Sequence, residues 1–253
     1  MNSELSTAAG SSSGRAIQSI PLDTLLTVDG LTKLFGARPV LSEVGFTVYP
    51  GEVVGLIGPN GAGKTTVLEC LAGLLPSNSG VVAYRGRPLS LPRRKEALFY
   101  VPDAILPWAE QTVDCVLRFF ERLYASSAER LIGPLRLQEI GPARVATLSK
   151  GERKRALLAV GLLTPQPLLL LDEPFDGLDL RQTRDVMTLL RSESATGRTL
   201  MLSIHQLNDA AKVCDRLVLL NDGHKVAEGR LSELQAQANV DEGGLEEIFL
   251  ALT

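Results

Sequence analysis

The chain has 253 residues, 45% of them hydrophobic and 22% charged, with a formal net charge of −3. This is the balance of a globular protein with one ample core or two small ones, and it excludes general disorder. The missing basic surplus argues against nucleic acid as a partner, and the lack of an apolar run of about 18 residues argues against a membrane span.

The first 24 residues differ in kind from the rest. Residues 1–14 are mostly Ser, Ala, Gly, Thr and Asn, with no basic stretch leading into an apolar run. A mobile tail is expected there, not a secretory signal. Residues 25–28 and 45–49 read as strands, followed by a turn at Pro50-Gly51. Residues 52–57 form a short apolar run of the kind found in buried strands. A glycine-rich stretch follows, and residues 64–75 then read as a helix. Strands are expected at 81–84 and 98–101.

Residues 104–148 are mostly helical by pattern. Across 111–124 the residues Val113, Val116, Leu117, Phe120 and Tyr124 fall close to one helical face. Beyond them, apolar strands at 168–171, 200–204 and 216–220 are separated by helix-like segments at 151–163, 180–194 and 206–213. Such alternation predicts an α/β core with a largely parallel sheet, and the helical stretch before Leu148 reads as an insertion into it. No internal repeat is present. Cys70, Cys115 and Cys214 are odd in number and far apart, so neither disulfides nor a zinc site is expected, and a reducing cytosol is the simpler setting.

Two segments carry chemistry. Gly58-Pro59-Asn60-Gly61-Ala62-Gly63-Lys64-Thr65 fits G-x-x-x-x-G-K-[ST], the P-loop. Its glycines let backbone N–H groups turn towards phosphate oxygens, and the helix that follows offers free N–H groups and a positive dipole end to the same anion. Lys64 adds a full charge near the β- and γ-phosphates, Thr65 offers a hydroxyl to Mg²⁺, and Thr66 adds a contact further along the phosphates. The second segment is Leu168-Leu169-Leu170-Leu171-Asp172-Glu173. A carboxylate at the end of a buried strand stands where open α/β sheets bind ligands. Asp172 suits the Mg²⁺ of a nucleotide, and Glu173 suits the water that attacks it.

Neither segment selects one family among P-loop proteins. Leu148-Ser149-Lys150-Gly151-Glu152 does, because it resembles the LSGGQ signature of ATP-binding cassette (ABC) ATPases. Ser149-x-x-Glu152 also reads as a capping box, and the two readings are compatible. Asp176-Gly177-Leu178-Asp179 resembles the D-loop of that family, His205 stands at the switch histidine, and Phe35 stands at the aromatic that stacks on adenine. The resemblance runs from residue 25 to 253 with the motifs in family order.

It implies a P-loop NTPase (RecA-like) core with a mostly parallel sheet, an antiparallel β subdomain and an inserted α-helical subdomain at about 104–150. It also implies ATP and Mg²⁺ as cofactors and a head-to-tail pair of cassettes, formed by two copies or by two different chains. In that pair Ser149, Gly151 and Glu152 reach the ATP held by the partner, and Asp179 joins the nucleotide-binding set. Glu173 acts as general base, with His205 holding the γ-phosphate and water. Asp103 replaces the usual Q-loop glutamine, as a nucleotide and Mg²⁺ contact in the loop that joins core and helical subdomain.

Lys150, Tyr100-Val101-Pro102-Asp103, Phe119-Phe120-Glu121-Arg122-Leu123-Tyr124 and the 244–250 ending resemble export-type cassettes that serve separate ABC-2 membrane subunits. The resemblance therefore implies an exporter ATPase on the cytoplasmic face of the membrane. The alternative is a soluble ABC ATPase acting on ribosomes or DNA.

Overall fold

The computed structural model describes residues 23–103, 108–240 and 244–253. The expected tail falls almost wholly outside them. The chain opens with β1 (Leu26–Phe35), β2 (Arg38–Val48), β3 (Val53–Ile57), α1 (Lys64–Ala72), β4 (Ser79–Tyr84) and β5 (Arg87–Pro88). It continues through α2 (Arg94–Ala97), β6 (Leu98–Val101), α3 (Val113–Tyr124), α4 (Glu129–Ile132), α5 (Leu137–Ile140) and α6 (Lys150–Leu163). The last third holds β7 (Leu168–Asp172), α7 (Leu180–Ala195), β8 (Thr199–Ile204), α8 (Leu207–Val213), β9 (Arg216–Asn221), β10 (His224–Gly229), α9 (Leu231–Ala238) and α10 (Leu245–Leu252).

Among the described residues the strands form two sheets. One is antiparallel, in the order β2-β1-β4-β5. The other has six strands in the order β10-β9-β3-β8-β7-β6, parallel throughout except for β10. This is the mixed architecture expected of a P-loop NTPase with an added antiparallel sheet.

The parallel sheet is buried on both faces, which is why its strands read as continuous apolar runs and not as alternating ones. Its side chains still alternate between two cores, as the pleat requires. Leu169, Leu171, Leu200, Leu202, Leu217 and Leu219 enter the core shared with α3, α6, α7 and α8. Leu168, Leu170, Met201, Val218 and Leu220 enter the core shared with α1 and the antiparallel sheet.

Three departures from the sequence expectation have physical causes. β1 does not stop at Val28: Asp29-Gly30 looks like a turn, but Gly30, at φ 61°, lies within a register shift that the strand passes through. β10 was not expected because His224-Lys225 and Glu228 are polar. It forms through a tight hairpin at Asp222-Gly223, both at positive φ (45° and 77°). α1 ends at Ala72, three residues before the expected limit, because Gly73 adopts the left-handed conformation and its N–H closes back on Cys70 O. α9 was also not anticipated.

Candidate active site

In the sheet order β3-β8-β7, three chain segments end side by side at the carboxyl edge. Ile57 pairs with Ile204, and Asp172 pairs with Ser203. The P-loop, the two acids and His205 therefore emerge from neighbouring strands, at the edge where open α/β sheets bind ligands.

The loop from Gly58 to Gly63 is shaped by close approach. A Cβ on Gly58 would stand 2.3 Å from Leu220 O, and one on Gly63 would stand 2.6 Å from Leu41 Cδ2. Gly61 and Gly63 have φ of 86° and 99°, which a side chain tolerates poorly. Gly63 caps α1 without any side-chain hydrogen bond, so the helix keeps free N–H groups for an anion. By contrast, α6 and α7 close their own N-termini with capping boxes. Pro59, Asn60 and Gly61 are exposed, Ala62 is buried and Thr66 is half-buried.

Lys64 is 6% exposed. Its Nζ donates to Gly58 O (2.8 Å) and Pro59 O (3.2 Å) and lies 4.0 Å from Glu173 Oε1. Burial pushes the Lys64 pKa below the usual lysine range, and the charges of Glu173 and Asp172 partly restore it.

Asp172, 4% exposed, gathers three hydroxyl donors. Thr65 Oγ1 reaches both of its oxygens (3.2 and 3.0 Å), Tyr100 OH reaches Oδ2 (3.1 Å) and Ser203 Oγ reaches Oδ1 (2.5 Å). Burial, reinforced by the Asp172 charge, pushes the Tyr100 phenol pKa well up, so Tyr100 stays a donor. Glu173 departs from the strand with φ 47°, a left-handed backbone that costs roughly 1 kcal/mol or more for a residue with a Cβ. Its N–H donates to Ser203 Oγ (2.9 Å), and its Oε2 lies 2.5 Å from His205 Nδ1.

The 148–152 segment opens α6. Glu152 N donates to Ser149 Oγ (3.3 Å) and Ser149 N donates to Glu152 Oε2 (2.8 Å), the capping box expected from the sequence. The Ser149 N–H bond to the carboxylate, and after it the Ser149 side chain, hold the Glu152 carboxyl below its usual range. Gly151 packs on the D-loop so tightly that a Cβ would stand 2.4 Å from Gly177 O. Lys150 pairs with Asp176 of the same loop. Asp179 caps α7, accepting from Gln182 N at 2.8 Å. Phe35 is 52% exposed at the end of β1, with Lys33 Nζ 5.1 Å from its ring centroid. Asp103 is bound to Lys154 at 2.7 Å.

The structure thus brings Lys64, Thr65, Asp172, Glu173 and His205 into one constellation. Gly151 packs on the D-loop, which continues directly from the site through Asp176 N–H to Glu173 O (3.1 Å), while Ser149 and Asp179 cap α6 and α7. Sequence reasoning missed Tyr100, Ser203 and Lys154. Ser203 carried a usable signal, as a polar residue inside the apolar run TLMLSI.

A family model described as ABC transporter matches residues 41–176. An uncharacterized ABC transporter ATP-binding protein of Methanocaldococcus jannaschii is 34% identical over 219 residues, covering 83% of this chain and 79% of that one. The chain belongs to the ABC transporter family. As an ABC cassette it binds and hydrolyses ATP. Family cassettes work in pairs, alongside membrane components.

A Nod factor export ATP-binding protein I of Rhizobium meliloti is 37% identical over 214 residues, covering 81% of this chain; the match spans 64% of that protein's length. Among solved structures, the ATP binding subunit of an ABC transporter superposes with a TM-score of 0.81 at 32% identity, covering 90% of this cassette and 99% of that chain. Among the described residues no helix is long and apolar enough to cross a membrane.

Proposed function

We propose that this cassette powers a multi-subunit ABC exporter from the cytoplasmic face of the membrane, and that Glu173 is the group that activates water. The observation that carries the catalytic part is the placement of Glu173. Its carboxylate lies between His205 Nδ1 (2.5 Å) and Lys64 Nζ (4.0 Å), one residue beyond the hydroxyl-bonded Asp172. The export part is supported by the names of relatives such as the Nod factor export proteins and by the export-type resemblance of 119–124 and 244–250.

In this reading the N–H groups of Gly61, Gly63, Lys64, Thr65 and Thr66 cradle the phosphates, and Phe35 stacks on the base. Lys64 carries positive charge to the β- and γ-phosphates. Glu173 accepts the proton of the attacking water as its oxygen bonds to the γ-phosphorus and the bond to the β–γ bridging oxygen breaks. His205 holds Glu173 and the γ-phosphate in line. The donor set fits Mg²⁺: Thr65 Oγ1 and the Asp172 carboxylate are hard oxygens 3.0–3.2 Å apart. When bound, Mg²⁺ neutralises phosphate charge. Asp103, the other expected contact, has its carboxylate committed to Lys154.

Ser149 and Gly151 are assigned to the ATP held by a second cassette. The Ser149 side chain bonds to Glu152 in its own helix, so this assignment rests on the resemblance of residues 148–152 to the family signature. The test is the molar mass of Glu173→Gln by light scattering. With Mg²⁺ and ATP the expected mass is that of a dimer, and with ADP that of a monomer. A monomer under both conditions would rule out an ATP sandwich between copies of this chain and leave a different cassette as the partner.

A further inference from the structure

Lys154 carries a charge that the mechanism above does not use. It is only 2% exposed and ranks among the largest fully buried side chains. A buried ammonium is costly unless it is paired and hydrogen-bonded. Lys154 has two partners from two other segments: Nζ donates to Asp103 Oδ1 at 2.7 Å and to the main-chain Asp172 O at 3.1 Å. Its own helix, α6, lies hard against β6, where a Cβ on Gly161 would stand 2.5 Å from Val101 Cγ2. One ammonium therefore joins three segments: the helix that begins at the signature, the start of the loop after β6, and the end of β7.

The carbonyl that Lys154 holds belongs to the Asp172–Glu173 peptide. The other end of the same peptide, Glu173 N–H, donates to Ser203 Oγ at 2.9 Å. The peptide plane is thus bonded at both edges, immediately before the residue whose φ is 47°. A left-handed backbone at a residue with a Cβ persists only where its surroundings over-determine it. Here these two bonds, together with Asp176 N–H to Glu173 O (3.1 Å) on the far side of the residue, supply that constraint.

We propose that Lys154 is a positioning residue for hydrolysis: with Ser203 it clamps the peptide that sets Glu173, and its ion pair with Asp103 links that clamp to the loop leading into the helical segment. The inference rests on the reading of Glu173 as the water-activating group. A displacement of a reacting group by about 1 Å can cost 10²-fold in rate, so a loosened clamp acts on turnover while the P-loop goes on binding ATP.

The test compares Lys154→Met, Lys154→Gln and Asp103→Asn with the parent. Lys154→Met is expected to lower kcat roughly 10- to 100-fold with ATP affinity unchanged within about threefold. In the nucleotide-free protein, its Glu173 amide should exchange with deuterium faster than in the parent. Lys154→Gln keeps a donor for the Asp172 carbonyl and is expected to recover much of the lost rate. Asp103→Asn should lower kcat less, add nothing in the Lys154→Met background, and leave the Mg²⁺ concentration for half-maximal rate unchanged.

A parental kcat in Lys154→Met would overturn the proposal, as would additive losses in the double variant. A raised Mg²⁺ requirement in Asp103→Asn would also overturn it, because Asp103 would then be a metal contact. Should Lys154→Met fail to fold, Asp103→Asn carries the test from the more exposed end of the pair: a fall in kcat at constant ATP affinity upholds the clamp, and a parental kcat removes it. Glu173→Gln assayed in parallel separates the two levels. If it retains turnover, the reading of Glu173 fails. If it is inactive while Lys154→Met is unimpaired, only the clamp fails.

Discussion

Glu173→Gln is expected to lower steady-state ATP turnover by about 10²- to 10⁴-fold, the usual contribution of a positioned general base, while nucleotide affinity stays within a few-fold of the parent. The substitution keeps the size of the side chain and its hydrogen-bonding capacity but removes the basic oxygen. The phosphate-binding parts keep their own supports: the Gly58–Gly63 loop and the uncapped start of α1 lie on the β3–α1 connection, and Lys64 keeps its bonds to Gly58 O and Pro59 O. Phosphate release and equilibrium binding of a fluorescent ATP analogue, measured on the same preparation, check both halves. A parental rate would remove Glu173 from the chemistry. A parallel collapse of affinity would assign it to binding instead.

Gly58→Ala is expected to destabilise the fold by about 2–3 kcal/mol, the range for forcing an extra carbon into a packed site. For a chain of this length that is a fall in Tm of roughly 5–10 °C. The reason is steric: the new Cβ would stand 2.3 Å from Leu220 O and 3.0 Å from the Ala62 Cβ. Backbone must yield, either in β9 or in the loop itself, and a shift of the loop moves the N–H groups that receive phosphate. ATP affinity should therefore fall together with Tm. Thermal unfolding with and without ATP reads both effects. Parental melting would mean that the loop has room the structure does not give it.

The contrast between these two sites explains what the sequence could disclose. The phosphate loop was legible because its chemistry needs residue types with no substitutes: glycine for left-handed turns and close backbone approach, lysine for charge, threonine for a hydroxyl. Asp172 and Glu173 were legible because two acids ending a run of four leucines make no sense inside a core. Tyr100, Ser203 and Lys154 were not found, since each acts through a partner far along the chain. Tyr100 meets Asp172 only because β6 lies beside β7, and Lys154 sits within the run Glu152-Arg153-Lys154-Arg155, where nothing in the sequence marks Lys154 and Arg155 as the buried charges.

The sheet shows the same division. β3, β7, β8 and β9 could be read as apolar runs because both their faces are covered. β10 is a polar edge strand held by its hairpin, and β1 passes through a Gly30 bulge that looks locally like an end. Tertiary pairing overrode local preference in both cases. The signature presented a third situation. Ser149 and Glu152 satisfy each other as a capping box, so the segment has a complete local explanation, and its assignment to a partner's ATP comes from the family and not from geometry within one chain.

The central claim is that ATP turnover here drives a membrane exporter. The most direct measurement is purification of tagged, ATP-locked Glu173→Gln from its native membrane in mild detergent, with mass spectrometry of what accompanies it. The account predicts recovery of a polytopic membrane protein in stoichiometric amount, released when ATP is replaced by buffer containing ADP and reduced in a Gly58→Ala control whose ATP affinity is lowered. Recovery of ribosomal or DNA-bound proteins alone, with no membrane component, would contradict it and leave an ABC ATPase that works outside transport.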